Sequence, residues 1–488
     1  MKSGYLRILY VPFCLLVSLL TAGAAMATES VFPASIQTVL ENTKPLKHPR
    51  NGRLPLLLWP TLGGVVEDDG LQEAIIRELD QRGISMIATW DYGKKEISLA
   101  QSLRIAAIQQ KLGLPVVVNA NACMYSFFNG DPRTSHIDSE GNRFFDQSFG
   151  KGHKIGCAFS LDFRLAAMTE QIDYFVRSYK RKGLPLDLVW GDWEIDGPLE
   201  FNRSWEAAKC CATCRKHVTD IEDFESYQRV MRLKRAEITR RCYSEPILSR
   251  YPKALVGNYA VYPHDGHRYW WDYFEYFVDY HPHIVDQGAR YRKWFHEFAL
   301  TGYTFAMPTV YPWHDTFLWY DFEDPDYRWF YNMLLVASNA GQHTDPKIPI
   351  IAFVHWHTVV TDGKADPSVK QMGERAYKEL LWHMLLRGTD GLFMWCPAAE
   401  SAEETRIAHE VYAASLGHSQ WLNRGTPITF AVPKQTAPVI SGLRIANRVL
   451  VRRTDFSRAS SKPVEIRVDG KTLIIPPNTH GCVVLPLK

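Results

Sequence analysis

The sequence predicts an α/β protein, a (β/α)8 barrel followed by a small all-β domain. Short apolar runs alternate with segments whose apolar residues recur every three or four positions, and this pair of patterns repeats eight times between residues 51 and 424. Strands that alternate with helices in this way form parallel sheets and barrels. After residue 425 the strand patterns follow one another without a helical segment between them.

The elements follow from these patterns in chain order. The barrel strands are predicted over 54–59, 84–90, 115–119, 187–192, 254–258, 303–307, 348–355 and 391–395. The helices between them are predicted over 71–83, 97–113, 161–183, 220–250, 287–300, 327–340, 369–387 and 402–416. The later strands are predicted over 428–432, 448–453, 464–468, 472–475 and 482–487, with a hairpin turn at Asp469-Gly470.

The amino terminus has the pattern of a secretory signal. Lys2 and Arg7 precede an apolar run over 8–20, and Ala25-Met26-Ala27 fits the small-residue cleavage rule. We therefore expect a signal peptide over 1–27, a lead segment over 28–50, the barrel over 51–424 and the β-domain over 425–488. The run is short for a membrane span, so the mature protein is expected to be secreted or periplasmic, without stable membrane insertion.

Composition narrows the classes of function. The chain of 488 residues is 46% hydrophobic and 22% charged, which is typical of a globular protein with a large core. Its 56 basic and 53 acidic residues give a net charge of only +3, whereas a dedicated nucleic-acid-binding protein has a marked basic excess. We expect no nucleic-acid partner.

Eight cysteines remain after the signal peptide. An even number in an exported chain predicts disulfides, with Cys123 and Cys157 as one plausible pair. Cys210, Cys211 and Cys214 crowd one loop and cannot all pair locally, so Cys242 is a plausible outside partner. The alternative is a zinc site formed by these three residues and one further ligand.

The segment 186–197, LDLVWGDWEIDG, carries the strongest functional signal. An apolar strand runs into Asp192 and Glu194, which lie two positions apart and so point to the same side of a strand. Two acids on one face cannot both ionise without mutual cost, so one of them should have a raised pKa, as a general acid requires. The alternative is a strand end followed by two solvated acids.

Other predicted strands also end in amides, acids and aromatic residues. In a barrel these ends meet at one face, where the active site lies. Rings that stack on sugars and amides that bind hydroxyls suit a neutral polyhydroxylated ligand, so we expect an oligosaccharide or polysaccharide substrate. The predicted substrate-binding residues are Trp59, Trp90, Asp91, Asn119, Asn121, Trp193, Asn258, Trp313, His355, His357 and Trp395.

Several of these residues have a structural alternative. Trp59 and Trp90 would equally serve to close the mouth of the barrel. His355 and His357 alternate about Trp356, but two histidines without a third ligand at suitable spacing are a weak metal signal. We expect neither a metal nor another cofactor.

Residues 187–194 resemble the D-x-x-D-x-D-x-E signature of family 18 glycoside hydrolases, the chitinases. Asp187, Asp192 and Glu194 match three of the four acids, while Trp190 replaces the middle one. The Asp-Trp-Glu core also resembles the hyaluronidase family. The segments 307–311, with Tyr311, and 391–395, with Trp395, resemble chitinase segments that contact the sugar at the cleaved bond.

The resemblance implies substrate-assisted hydrolysis of N-acetylhexosamine-containing glycans. Glu194 would protonate the glycosidic oxygen, the acetamido oxygen of the sugar would attack the anomeric carbon, and Asp192 and Tyr311 would hold the acetamido group. The absent middle acid leaves open a second mechanism, in which Asp91 or Asp315 acts as a separate base or nucleophile beside Glu194. A third possibility is a carbohydrate-binding barrel without turnover.

Overall fold

The structure is a computed structural model that describes residues 32–488 except for 124–126, 148–151, 153, 193–201, 270–291, 294–295, 319, 321, 361–365, 457–461 and 478–480. The predicted signal peptide lies outside the described residues, and so do Trp193 and Glu194. The side chain of Asp315 also lies outside what is described.

Parallel strands form the centre of the molecule. One sheet has the order β11-β12-β13-β1-β2 and a second has the order β3-β4-β7-β8, and every pair of neighbours in both is parallel. These strands are β1 (Leu56–Leu58), β2 (Ile84–Ser85), β3 (Ile87–Asp91), β4 (Val117–Ala122), β7 (Leu188–Gly191), β8 (Leu255–Asn258), β11 (Thr309–Val310), β12 (Ile351–Val354) and β13 (Gly391–Met394). Short antiparallel ladders lie in the loops, as β5 (His136–Ile137) with β6 (Arg143–Phe144) and β9 (His267–Arg268) with β10 (Arg292–Lys293).

The chain itself joins the two sheets on one side, and backbone hydrogen bonds join them on the other. Strand β3 continues β2 after the single residue Met86. On the opposite side, the Thr304 N–H donates to the Val256 carbonyl, and the Ile351 N–H donates to the Ala306 carbonyl. Residues 304–310 therefore take the place of a sixth strand between β8 and β12. The predicted strand order is found, and the arrangement is barrel-like.

Helices follow the strands as the apolar spacing predicts, and aspartates start several of them. The Asp68 carboxylate accepts from the Leu71 N–H, and the Asp324 carboxylate accepts from the N–H groups of Asp326 and Tyr327. No helix in the described part of the chain is long and apolar enough to cross a membrane. The longer helices are α2 (Asp69–Gln81), α3 (Lys95–Lys111), α4 (Leu165–Arg181), α7 (Phe224–Thr239), α11 (Pro325–His343), α12 (Glu374–Leu385) and α13 (Ser401–Ser415).

Shorter helices complete the set, and one of them lies in the lead segment. This is α1 (Ala34–Glu41), in a segment whose apolar residues show little periodicity. Ile36 and Val39 nevertheless lie three positions apart and are fully buried. The remaining short helices are α5 (Asn202–Cys210), α6 (Ala212–His217), α8 (Glu245–Leu248), α9 (Phe298–Thr301), α10 (His314–Leu318) and α14 (Ser419–Arg424).

The carboxyl-terminal region is antiparallel, as expected. A four-stranded sheet has the order β14-β15-β16-β19, and β17 pairs with β18 through the predicted Asp469-Gly470 turn, where both residues have positive φ. The boundary at residue 425 stays a prediction. The strands are β14 (Thr426–Pro427), β15 (Val439–Ile445), β16 (Arg448–Thr454), β17 (Val464–Val468), β18 (Lys471–Ile475) and β19 (Cys482–Pro486).

Arg387, at the end of α12, binds this antiparallel region from a fully buried position. Its guanidinium donates to the Ser441 hydroxyl at 2.7 Å and to the carbonyls of Phe430, Ala431 and Ile440 at 2.9–3.0 Å. Burial lowers the pKa of Arg387 to about 9. The two carbonyls at 430 and 431 face this cation, which explains why the strand predicted over 428–432 does not form.

Arg387→Ala should lower the free energy of unfolding by roughly 3–5 kcal/mol, because it leaves several buried acceptors without a donor. Denaturant unfolding measures the change. Arg424→Ala, at an exposed arginine, is the control and should leave the midpoint near that of the wild type. An unchanged midpoint for Arg387→Ala would contradict the role assigned to this residue.

Candidate active site at the carboxyl ends of the strands

Alternation along the parallel strands determines which side chains face the interior. At the amino ends, Leu57, Val117, Leu188, Leu255 and Ile351 line one common pocket. Because every second residue of a strand points to the same side, residues two and four positions further along also face inward. This parity separates the candidate residues into an inward and an outward set.

The next inward layer is aromatic and centres on Trp190. Its ring lies 4.6 Å from that of Phe393, 5.6 Å from that of Phe353 and 5.6 Å from that of Trp59, measured between centroids. Trp190 is fully buried, so the residue that replaces the middle signature acid fills the interior of the barrel-like domain. Trp59 is only partly buried and packs edge-on against Trp190, so its role in substrate binding stays a prediction.

Asp192 follows two positions after Trp190, and parity directs it inward at the carboxyl end of β7. It is partly buried, and one carboxylate oxygen is shielded from solvent. Parity would carry Glu194 to the same side, but that residue lies outside the described range. The first acid of the signature has a different position, since Asp187 precedes β7 at its amino end and accepts a hydrogen bond from the Val116 N–H at 2.8 Å.

A second group of inward residues lies above Phe353. The Tyr311 hydroxyl lies 2.7 Å from that of Tyr259, and the Tyr311 ring lies 5.9 Å from that of Trp395 and 6.2 Å from that of His355. Trp313 extends this group, with its ring 5.8 Å from Tyr311. The predicted residues Tyr311, Trp313, His355 and Trp395 are therefore brought together at one end of the strands.

The two histidines after β12 are held by a carboxylate that sequence analysis missed. Glu404 of α13 is fully buried, and its Oε1 lies 3.0 Å from His355 Nδ1 and 2.9 Å from His357 Nδ1. The backbone N–H groups of Trp356 and His357 also donate to this oxygen. No local motif marks Glu404, because the contact joins residues 47 and 48 positions apart.

The protonation states of this group follow from its contacts. Burial would raise the pKa of Glu404, but hydrogen bonds from His355 and His357 outweigh it and hold this pKa at about 2. The hydrogen bond to Glu404 raises the pKa of His357 against the opposing effect of burial, and nearby Glu400 and Glu403 add to the increase. The group thus combines a buried carboxylate with a histidine that favours its charged form.

Three further predicted residues are occupied by local hydrogen bonds. Asp91 Oδ1 accepts from the Gly93 N–H at 2.8 Å, and Asn119 Oδ1 accepts from the Asn121 N–H at 3.0 Å. Parity places Asp91 and Asn119 inward, since Thr89, Asn119 and Trp190 are register partners on neighbouring strands. The register shifts after Asn119, where Asp91 pairs with Ala122, so parity does not assign a side to Asn121. They shape the edge of the site.

Two predicted residues face away from it. Trp90 is fully buried against α4, where it stacks on Phe175 at 5.2 Å and meets Tyr179 edge-on. Asn258 is also fully buried, and it alternates with Gly257, the register partner of the inward Trp190. Parity explains both positions, and neither side chain belongs to the candidate site.

The structure brings together two groups of potential metal ligands in the described part of the chain. One is His355, Glu400 and Glu404, but Glu404 Oε1 already accepts from two histidines and two backbone N–H groups. The other consists of one histidine and three cysteines in the loops after β4 and β7. It is taken up below.

The eight described cysteines form no disulfide. The expected pair is absent because the Cys123 thiol contacts the Trp90 carbonyl, whereas Cys157 lies beside Cys214 with 3.6 Å between their sulfurs. Cys242 instead contacts the Leu165 carbonyl at 3.7 Å. The disulfide expectation thus finds no support in the structure.

Comparison with known proteins gives distant structural neighbours only. No family model and no curated protein matches the chain. An α-L-fucosidase, isoenzyme 2 from Paenibacillus thiaminolyticus, is 14% identical over 77% of this chain and 51% of its own, with a TM-score of 0.43. This chain therefore spans about half the length of that enzyme.

Two other solved structures belong to the same broad class of enzyme. A family 30 xylanase from Clostridium acetobutylicum is 10% identical over 91% of this chain and 94% of its own, with a TM-score of 0.34. Bee venom hyaluronidase is 12% identical over 53% of this chain and 79% of its own, with a TM-score of 0.25. Values this low carry no argument about substrate or mechanism, which must rest on this chain's own residues.

Glu404→Gln should destabilise the protein by roughly 3–5 kcal/mol at pH 6, because it breaks a buried charged pair. Glu404 stabilises the fold above its unfolded pKa of about 4.5, and this contribution is lost as the pH falls toward 2. His357 contributes below about pH 6.5, and its contribution is lost as the pH rises through its higher folded pKa.

Thermal unfolding of wild type and variant across pH 3–8 measures this difference, which should be largest between about pH 4.5 and 6.5. Glu222→Gln, at an exposed acid outside this group, is the control and should melt with the wild type. Equal melting temperatures for wild type and Glu404→Gln at pH 6 would contradict the assignment.

Proposed function

We propose that this protein is a glycoside hydrolase whose active site lies at the carboxyl ends of parallel strands that close into a (β/α)8 barrel. The observation that carries the proposal is the contact between the rings of Tyr311 and Trp395 at the carboxyl ends of the strands, the end toward which alternation along β7 directs Asp192. A carboxylate, a phenol and an indole supply charge, a hydrogen-bond donor and a stacking surface for a sugar ring. Enzymes built on such barrels place their catalytic groups at this end.

We assign the proton transfer to the acid pair Asp192 and Glu194. Asp192 extends inward from the aromatic layer around Trp190, and Glu194 lies two positions further along. Two carboxylates on one face, above an apolar interior, favour retention of a proton on one of them near neutral pH. Glu194 is the general acid that protonates the glycosidic oxygen, and Asp192 is the ionised partner.

The proposed substrate class is N-acetylhexosamine-containing glycans. Ionised Asp192 would orient the acetamido N–H, and the acetamido oxygen would attack the anomeric carbon as the glycosidic bond breaks. Tyr311 is the residue that holds the acetamido group. Its hydroxyl contacts that of Tyr259, and this contact fixes the position of a phenol that can donate to the acetamido oxygen. Water then opens the cyclic intermediate, and the anomeric configuration is retained.

The mechanism with two separate carboxylates is the less favoured one. Asp91 or Asp315 would be its base or nucleophile, and the Asp315 side chain lies outside the described part of the chain. One carboxylate oxygen of Asp91 already accepts from the Gly93 N–H at the start of the turn Tyr92–Lys94. A carboxylate used in this way is less free to attack a sugar or to activate water.

Export is part of the proposal. It rests on the signal pattern over 1–27, with cleavage after Ala27, and implies a secreted or periplasmic enzyme that acts on glycans outside the cytoplasm.

Glu194→Gln should lower the turnover of a natural glycan by ~10²–10⁴-fold, while the affinity for it is kept, because Gln preserves shape but cannot deliver a proton. An aryl glycoside with an activated leaving group needs less protonation and should lose less. Asp192→Asn should slow both substrates alike, because it impairs the attack itself. Steady-state kinetics on both substrates separates these patterns.

Glu222→Gln, at an exposed acid of the same chain, is the matched control and should retain wild-type rates. Near wild-type turnover of a natural glycan by Glu194→Gln would refute the catalytic assignment. Binding of the glycan without turnover by the wild type itself would favour the carbohydrate-binding alternative.

A further inference from the structure

One histidine and three cysteines form a buried cluster in the long loops beside the candidate site. His136, Cys157 and Cys211 are fully inaccessible to solvent, and Cys214 is 1% exposed. The potential ligand atoms of all four residues lie within 4.8 Å of one another. The Cys157 and Cys214 sulfurs are 3.6 Å apart, and the Cys214 sulfur lies 3.9 Å from His136 Nδ1.

These distances suit a metal ion better than a disulfide. A disulfide requires sulfurs about 2.05 Å apart. Two thiolates at about 2.3 Å from a tetrahedral zinc ion lie about 3.8 Å apart, close to the 3.6 Å between Cys157 and Cys214. Three sulfurs around one point also cannot all pair, since any one disulfide would leave a third thiol buried beside it.

The imidazole of His136 has the contacts expected of a metal ligand. Its polar contacts are with the sulfurs of Cys214 and Cys211, and Nδ1 is the nitrogen that faces the Cys214 sulfur. The ring of Phe144 stacks on it at 5.1 Å and fixes its plane. A buried imidazole normally has a firm polar partner, and a metal ion would supply one.

The backbone holds the four residues in place independently of any ion. The Cys157 N–H donates to the Thr134 carbonyl at 2.8 Å. Residue 156 must be glycine, because a Cβ there would lie 1.9 Å from the same carbonyl oxygen. Cys211 and Cys214 lie at the start of α6, in a C-x-x-C spacing that directs both sulfurs to one side.

We propose that His136, Cys157, Cys211 and Cys214 bind one zinc ion in a closed structural site. Three thiolates and one imidazole are a donor set that selects zinc, and four protein ligands complete its tetrahedron without an open position for substrate or water. The zinc site differs from the one considered from sequence alone, since Cys210 is exposed and lies outside the cluster.

The zinc ion would tie together two loops that are distant in sequence. His136 and Cys157 belong to the loop after β4, whereas Cys211 and Cys214 belong to the loop after β7, which begins at Asp192. A hydrogen bond from the Ser204 hydroxyl to the Asp146 carboxylate joins the same two loops. The ion would therefore stabilise the wall of the candidate active site without taking part in the chemistry, and the inference holds whether or not the proposed function is correct.

Metal analysis of the purified full-length exported protein tests the inference directly. We expect one zinc ion per chain, released when a mercurial reagent blocks the thiols. Substitution of the zinc by Co²⁺ should give thiolate-to-cobalt charge-transfer bands and the strong visible bands of a tetrahedral site. These readouts use the wild-type protein and do not depend on activity.

Two variants in the same loop provide the matched comparison. Cys214→Ser should lose the zinc ion and melt at a lower temperature, whereas Cys210→Ser should keep both zinc and stability. Zinc retained equally by Cys214→Ser would overturn the proposal, because the ion would then be bound elsewhere. A wild-type protein that takes up no zinc with its thiols reduced, or that shows a disulfide between any two cluster cysteines by mass spectrometry, would overturn it as well.

Discussion

The packing of Trp190 into the interior is the contact on which the candidate site depends. Its ring lies against Phe353, Phe393 and Trp59, so the rotation of β7 about its own axis is fixed. Because side chains alternate along a strand, this rotation also determines where Asp192 emerges. A shift of one residue would turn both Trp190 and Asp192 toward the surrounding helices, so the packing of β7 and the position of the acid are linked.

The same position explains why the signature is incomplete. An acid at position 190 would place its carboxylate in an apolar layer, where burying a charge without a partner costs free energy. Trp190 instead contributes a large apolar surface to that layer. In the complete signature, a neighbouring acid would help to hold Asp192 in position. Here other neighbours must do so, and the contact between the hydroxyls of Tyr259 and Tyr311 offers one such constraint.

The sequence predicted the parallel strands, their order and the grouping of Tyr311, Trp313, His355 and Trp395, because apolar periodicity and strand ends are local signals. Parity could also have separated Trp90 from Asp91, since adjacent residues of a strand face opposite sides. Glu404 could not have been found, because its contacts span 47 and 48 positions and its own helix shows no motif.

The cysteines show the same limit, because contacts between distant segments are not visible in a local pattern. The C-x-x-C pair is visible in sequence, but its partners His136 and Cys157 come from a loop more than fifty residues earlier. The even number of cysteines therefore predicted disulfides instead. Folding brings the loops after β4 and β7 together. If zinc holds them, coordination stabilises two long loops whose helices and strands are short, such as α5, α6, β5 and β6.

In the proposed mechanism, Asp192 and Glu194 catalyse the hydrolysis of N-acetylhexosaminides, and the acetamido group of the substrate is the nucleophile. Proton NMR of the sugar at the moment of release measures its anomeric configuration before mutarotation. We expect a product that retains the configuration of the substrate, and no hydrolysis of the matching glycoside that lacks the 2-acetamido group. An inverted product, or equal rates on the two glycosides, would contradict it.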